Sequence, residues 1–281
     1  ISSSALGGAI YNYSGFISSI TGDFIGNYAK STSGTAQGGA IYSTYGINLS
    51  AKENGSSVIK DNYVEDKDGK RAEAIYIDSS AAALSLQAKN NGTIEVYDII
   101  NGKSGYYVNL TGDGTGSVSL FNDVLNAKVS ANYVGVNLSN GVAKDYTFNS
   151  LTTKDAAHWN IDVNLTDKTA DNITSAASTG MLHISKINTI GSNNEDITVQ
   201  ILKNTDALDK LQLALNLNYI TIDEDKNNVD NIVKFSNTYI KDGGISLATT
   251  DTTNDSITIK KDTFLDALAL INDKETDEER S

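Results

Sequence analysis

Cysteine and proline are both absent from this chain of 281 residues, and methionine and tryptophan occur once each. Without cysteine there is no disulfide framework, no thiolate zinc ligand and no cysteine nucleophile. Without proline every residue keeps its backbone N–H, which suits long strand ladders, where one missing donor breaks the pairing. Positive charge is scarce as well: Lys and Arg total 22 against 35 Asp and Glu, a formal charge of −13 and a pI near 4.5. A chain of that sign repels phosphate backbones and anionic bilayers, which excludes nucleic acid as a partner. Nothing approaches the roughly 18 consecutive apolar residues of a membrane helix, so this segment is expected not to insert into a bilayer. Ile1 opens in mid-pattern, with no basic region leading into an apolar one, so an export signal, if the gene has one, is expected to have been removed.

What the chain does have is a repeat. Gly7-Gly8-Ala9-Ile10-Tyr11-Asn12 returns as Gly38-Gly39-Ala40-Ile41-Tyr42-Ser43 and, more loosely, as Ala72-Glu73-Ala74-Ile75-Tyr76-Ile77. A second motif interleaves with it: Phe24-Ile25-Gly26-Asn27-Tyr28-Ala29 is echoed by Ile59-Lys60-Asp61-Asn62-Tyr63-Val64, each with an apolar residue three before an asparagine. Around these motifs run short β-branched and aromatic segments separated by Gly, Ser, Asn and Asp, and none before residue 262 has the length of a helix. The texture continues after the motifs fade, through Tyr106 to Leu110, Tyr133 to Leu138, Trp159 to Val163 and Ile197 to Leu202.

A strand of three to six residues cannot bury its apolar face alone, and near-identical motifs one coil apart place like residues above like. The spacing therefore predicts an all-β, right-handed parallel β-helix, with Ile10, Ile41 and Ile75 as an inward ladder and the glycine pairs as tight turns. The chain carries 30 asparagines, the residue that tolerates left-handed backbone and bonds its own turn, as stacked corners require. At about 20 to 25 residues per coil, on the order of 12 coils are expected over a single domain, 1–262. The segment 263–281 breaks the pattern. Thr263 reads as an N-cap, with Phe264, Leu265, Leu268 and Ile271 on one face of a short helix over about 263–273, followed by a charged tail.

Residues for chemistry are few. The two histidines, His158 and His183, lie 25 residues apart in unrelated strand contexts, with no H-E-x-x-H spacing and no G-x-S-x-G turn in the chain. Both read as structural or surface residues. A glycan-cleaving site needs acids converging on one face, and pairs such as Glu195-Asp196 read as solvated loop charges. The only arginines are Arg71 and Arg280, so a cationic clamp for an acidic sugar is missing. The segment 223–228 fails the calcium-loop template, with Asn228 where glycine is needed and Lys234 where an acid is needed, and Gly112-Asp113-Gly114-Thr115-Gly116 reads as a turn. No catalytic residue, cofactor site or metal site is expected. Tyrosine accounts for 14 of the aromatic residues, and Tyr11, Tyr42 and Tyr76 form an outward stripe, either a stacked ladder or an adhesive, sugar-stacking surface.

Gly-Gly-Ala-Ile at 7–10 and 38–41, alternating with Phe24-Ile25-Gly26-Asn27, resembles the repeat pair of chlamydial polymorphic outer membrane proteins and related bacterial autotransporter passengers. The likeness covers about residues 5–78, and Gly92 to Gly102 and Leu120 to Asp123 are similar to later coils of the same passengers. Ile59 stands where that pattern has Phe, and Ala72-Glu73 where it has a third glycine pair. The resemblance implies a β-helical passenger carried to the bacterial cell surface by a C-terminal outer-membrane barrel, and either retained there or secreted. No series of alternating strands with aromatic girdles follows residue 260, so the barrel is expected elsewhere in the full-length chain. The implied function is a non-enzymatic adhesin or display rod. It would meet a host or bacterial surface protein or glycan through outer faces and loops. The alternatives are a glycan-active β-helix enzyme, a lyase or glycoside hydrolase, and a phage tailspike or two-partner secreted β-helix.

Overall fold

The computed structural model describes residues 4–154, 156–191, 195–204, 211–222, 231–234, 245–249 and 254–259. Within them the chain is all-β, a parallel β-helix with no helical segment. The short helix expected over 263–273 lies outside the described residues, as do the tail and the segment 223–228.

Three faces carry the stack. On the first, Ile10–Asn12, Ile41–Ser43, Glu73–Ile77 and Ile99–Gly102 pair in parallel, with Ile10 beside Ile41, Ile41 beside Ile75, and Ile75 beside Ile100. A single bridge from Ile100 to Val124 extends the column. The second face stacks Ile17–Thr21, Ile47–Ser50, Ala83–Ala88, Tyr106–Gly112, Ala127–Asn132, Asp145–Thr153 and the first part of Asn172–Ile190. The third stacks Phe24–Ile25, Ser56–Lys60, Thr93–Val96, Ser117–Leu120, Gly135–Asn137, His158–Asn164 and the second part of Asn172–Ile190.

Inward columns explain why these residues stack. Ile47, Leu84, Val108, Val129 and Leu151 follow one another on the second face; Ile94, Val118, Val136, Trp159 and Ile184 do so on the third. All are buried. Because side chains alternate across a strand, slipping one rung by a residue would turn its apolar set outward, and so each column fixes the register of the next. Ile10 is half-buried because it lies in the first rung, whereas Ile41 and Ile75 are fully enclosed.

The coil changes size along the rod, and the expectation of about 12 uniform coils does not hold. Ile10, Ile41 and Ile75 are 31 and 34 residues apart, whereas Ile75, Ile100 and Val124 are 25 and 24 apart. The early coils are wider because they visit two further sheets, Tyr28–Lys30 on Tyr63–Asp66 and Ala5–Leu6 on Ala36–Gln37, packed around Ala29, Ala36 and Val64. Arg71 closes this lobe. Its guanidinium donates to the Ala36 carbonyl at 2.7 Å and to Asp66 at 3.1 Å, and Asp66 also accepts the Ala36 N–H. Later, the 19-residue strand Asn172–Ile190 crosses from the second face to the third without a loop. It bends at Gly180, whose φ of +101° and contact with the Thr153 carbonyl leave no room for a Cβ. Beyond it the stacking turns antiparallel: Ile197–Asn204 pairs with Asn254–Ile259, and Gln212–Ile222 with Asn231–Lys234.

Candidate functional site

The glycine pairs do two jobs. Gly7 and Gly38 adopt φ of +65° and +61°, while Gly39 lies against the backbone of Tyr63 and Glu73, where a Cβ would collide. Ala9 and Ala40 then lead into the Ile10 and Ile41 rungs, their backbones joined from the Ala9 N–H to the Ala40 carbonyl. The departure at Ala72-Glu73 has a physical role. The buried Glu73 carboxylate accepts the Gly38 N–H at 2.9 Å and the Asn101 amide at 3.0 Å, which ties the end of the glycine stack to the next coil.

Phe24, Ile59, Val96 and Leu120 form an inward column on the third face. Immediately after it the asparagines form a polar one. The Asn62 side chain is almost wholly enclosed; its oxygen accepts both the Asn27 backbone N–H at 3.0 Å and the Asn27 amide at 2.9 Å. Its amide donates to the Phe24 carbonyl at 2.7 Å and to Asp98 at 2.8 Å, and Asp98 also accepts the Asn62 N–H. Burial, the largest influence on Asp98, pushes its carboxyl above the usual carboxylate range, against the pull of the Asn62 hydrogen bonds. Asp98 was missed in the sequence, although it follows Asn62 by nearly the interval that separates Asn62 from Asn27.

Tyr11, Tyr42 and Tyr76 stack in register, with ring centroids 5.5 and 6.0 Å apart and planes within 17° and 4° of parallel. Tyr13 continues the stack beyond Tyr11. This geometry decides what the stripe can do. A sugar stacks on a ring face, and both faces of Tyr42 are covered by its neighbours, leaving it 5% exposed. Its hydroxyl donates to Asp78 at 2.5 Å, and burial followed by that bond holds the phenol well above the ordinary tyrosine range. Tyr11 keeps an exposed edge, and Tyr13, Tyr28, Tyr45 and Phe16 are exposed around the same wide coils. A second ladder, Tyr28 on Tyr63 at 5.3 Å, carries Lys70 over the Tyr63 ring.

The buried acids are engaged in the same manner. Asp162 accepts three successive backbone N–H groups, from Asn140, Gly141 and Val142, on one oxygen, and the Asn188 amide on the other. Asp171 accepts the Lys144 N–H and the Asp162 N–H, one on each oxygen. Both side chains are fully enclosed. Burial, the dominant cause, pushes the Asp171 carboxyl up to about 8. No motif marks these two residues in the sequence. They replace the lost first face by pinning the loop that enters Asp145–Thr153. Asp113 likewise bonds its own turn, accepting the Asn90 N–H and the Thr115 N–H and hydroxyl.

Compared with protein-family models, with curated proteins and with solved structures, the chain matches none. Function must therefore be read from the side chains. The outward columns of the second face are uncharged over several rungs: Asn48, Ser85, Asn109, Ser130 and Thr152 in one, and Ser50, Gln87 and Thr111 in another. One placement corrects the sequence reading. His158 and His183 do not occupy unrelated strands; they pair in register on adjacent rungs of the third face.

Proposed function

We infer that the chain is a non-enzymatic display rod or adhesin, a segment of a surface-exposed bacterial passenger of the autotransporter kind. The observation that carries this reading is the fate of its buried carboxylates. Glu73, Asp98, Asp162 and Asp171 all have oxygens bonded to backbone or amide donors inside the wall, where a substrate cannot reach them. General acid and base catalysis on a glycan needs two acids facing an open cleft. Arg71, the one arginine before the charged tail, is used to close the wide lobe.

Contact with a protein or glycan would then run through the uncharged second face and the exposed aromatic rims of the wide coils. Many weak, evenly spaced contacts sum to useful avidity on a rigid rod. The stacked rings of Tyr11, Tyr42 and Tyr76 support the rod and offer edges rather than faces. Incubating the purified chain with arrays of glycans and extracellular-matrix proteins, alongside a reducing-end assay on acidic polysaccharides, tests the reading. Retention on an array without new reducing ends supports it. Catalytic release of oligosaccharides would replace it with the glycan-active alternative.

A further inference from the structure

The whole chain contains two histidines, and the fold brings them together. His158, in His158–Asn164, is the in-register partner of His183, in Asn172–Ile190. Their ring centroids are 6.3 Å apart and the rings are inclined by 58°. The column they share is otherwise small, with Gly135 beside His158 and Ala214 beside His183. The two imidazoles therefore project together between residues that offer no bulk. Directly after them in sequence, Trp159 and Ile184 are buried and paired, which anchors both strands beneath the rings. His183 is 8% exposed, whereas His158 lies at the surface.

We propose that His158 and His183 form a two-imidazole site for a divalent transition-metal ion. Imidazole nitrogen suits copper, nickel and zinc, and disfavours calcium and magnesium, which select oxygen. With metal–nitrogen bonds of about 2.0–2.1 Å, two ligand nitrogens on one tetrahedral ion stand roughly 3.3 Å apart. Parallel rungs hold the two backbones at a fixed short spacing, so a rotation of the exposed His158 ring toward the fixed His183 ring closes that distance. No cluster of three or more His, Asp or Glu ligands exists among the described residues. The ion would thus keep coordination positions for water or for donor groups of a partner, and bind less tightly than in a four-ligand structural site.

The test uses the full chain purified without a histidine tag. Calorimetric titration with copper, nickel and zinc salts should show one ion per chain, with affinity greatest for copper, following the usual order for nitrogen sites. Copper bound to the chain should give an electron-paramagnetic-resonance signal with nitrogen coupling from two imidazoles. His158→Ala removes a surface ring and leaves the packing intact; it should weaken binding at least tenfold and erase the two-nitrogen signal, as should His183→Gln. Binding that persists unchanged in His158→Ala, or no saturable copper binding by the wild-type chain, overturns the proposal.

Discussion

Replacing Asn62 with alanine should be among the most damaging changes a single polar residue of this chain can suffer. The substitution removes the donors that satisfy the Phe24 carbonyl and Asp98, together with the acceptor of two Asn27 N–H groups. A buried polar group left unpaired costs about 1–3 kcal/mol, and more where a carboxyl is involved. The orphaned groups share one network, so their costs do not add fully, and about 3–5 kcal/mol is expected in total. For a chain of this length unfolding as one unit, that corresponds to a fall in Tm of roughly 5–8 °C. Asn27→Ala removes only one amide donor at the half-buried end of the ladder and should cost about 1 kcal/mol. Thermal and urea melts followed by far-ultraviolet circular dichroism compare the two. If Asn62→Ala melts within about 0.5 kcal/mol of wild type, or if the two variants are equally destabilised, the corner ladder does not hold the coils as described.

Ile41→Asp buries a charge in the middle of the first-face column and should cost about 3–5 kcal/mol, whereas Ile10→Asp, in the half-buried first rung, should cost clearly less; a soluble Ile41→Asp chain with wild-type Tm would contradict the burial. Tyr42→Phe loses the bond to Asp78 but keeps the ring stack, so a loss of about 1 kcal/mol is expected, against a larger one for Tyr42→Ala; equal losses would show that stacking contributes nothing. Stability should rise on mild acidification. Asp171 titrates near 8 in the folded chain against 3.8 for an unperturbed aspartate, so the folded state binds the extra proton between those values, and that contribution is lost as pH rises toward 8. Asp98 shifts the same way, while Asp23, Asp66 and Asp113 shift downward and act only below about pH 4. A gain of up to about 3 kcal/mol between pH 8 and 5.5 is expected, and a flat or falling Tm over that range would refute the burial of a neutral Asp171.

The first three coils were legible because their motifs repeat. Ile10, Ile41 and Ile75 share a column, and Asn27 and Asn62 share a corner, at the intervals the repeats impose. The narrowing of the coil was not legible. It follows from dropping the two extra sheets after Arg71, and a shorter coil leaves no motif of its own to recognise. Asp162 and Asp171 were invisible for a related reason: they fill a corner that occurs once, so no spacing announces them. The histidine pair shows the limit of judging residues by sequence neighbourhood, since 25 residues of separation became one rung of separation. The tyrosine stripe was visible as a column, but whether its ring faces were free for a ligand depended on side-chain angles that spacing does not encode.

In-register parallel stacking is the claim on which the columns, the corners and the histidine pair all depend. The absence of cysteine allows it to be measured with spin labels placed at will. Asn48, Ser85, Asn109, Ser130, Thr152 and Thr179 occupy successive rungs of one outward column. Labels on Asn48→Cys with Thr152→Cys, and on Asn48→Cys with Thr179→Cys, should lie about 19 and 24 Å apart in pulsed dipolar spectra, one rung of roughly 4.8 Å separating the two pairs. Narrow distributions at those distances are the predicted result. Separations beyond about 35 Å, or a shorter distance for the Thr179 pair than for the Thr152 pair, would contradict a stack in which each coil adds one rung.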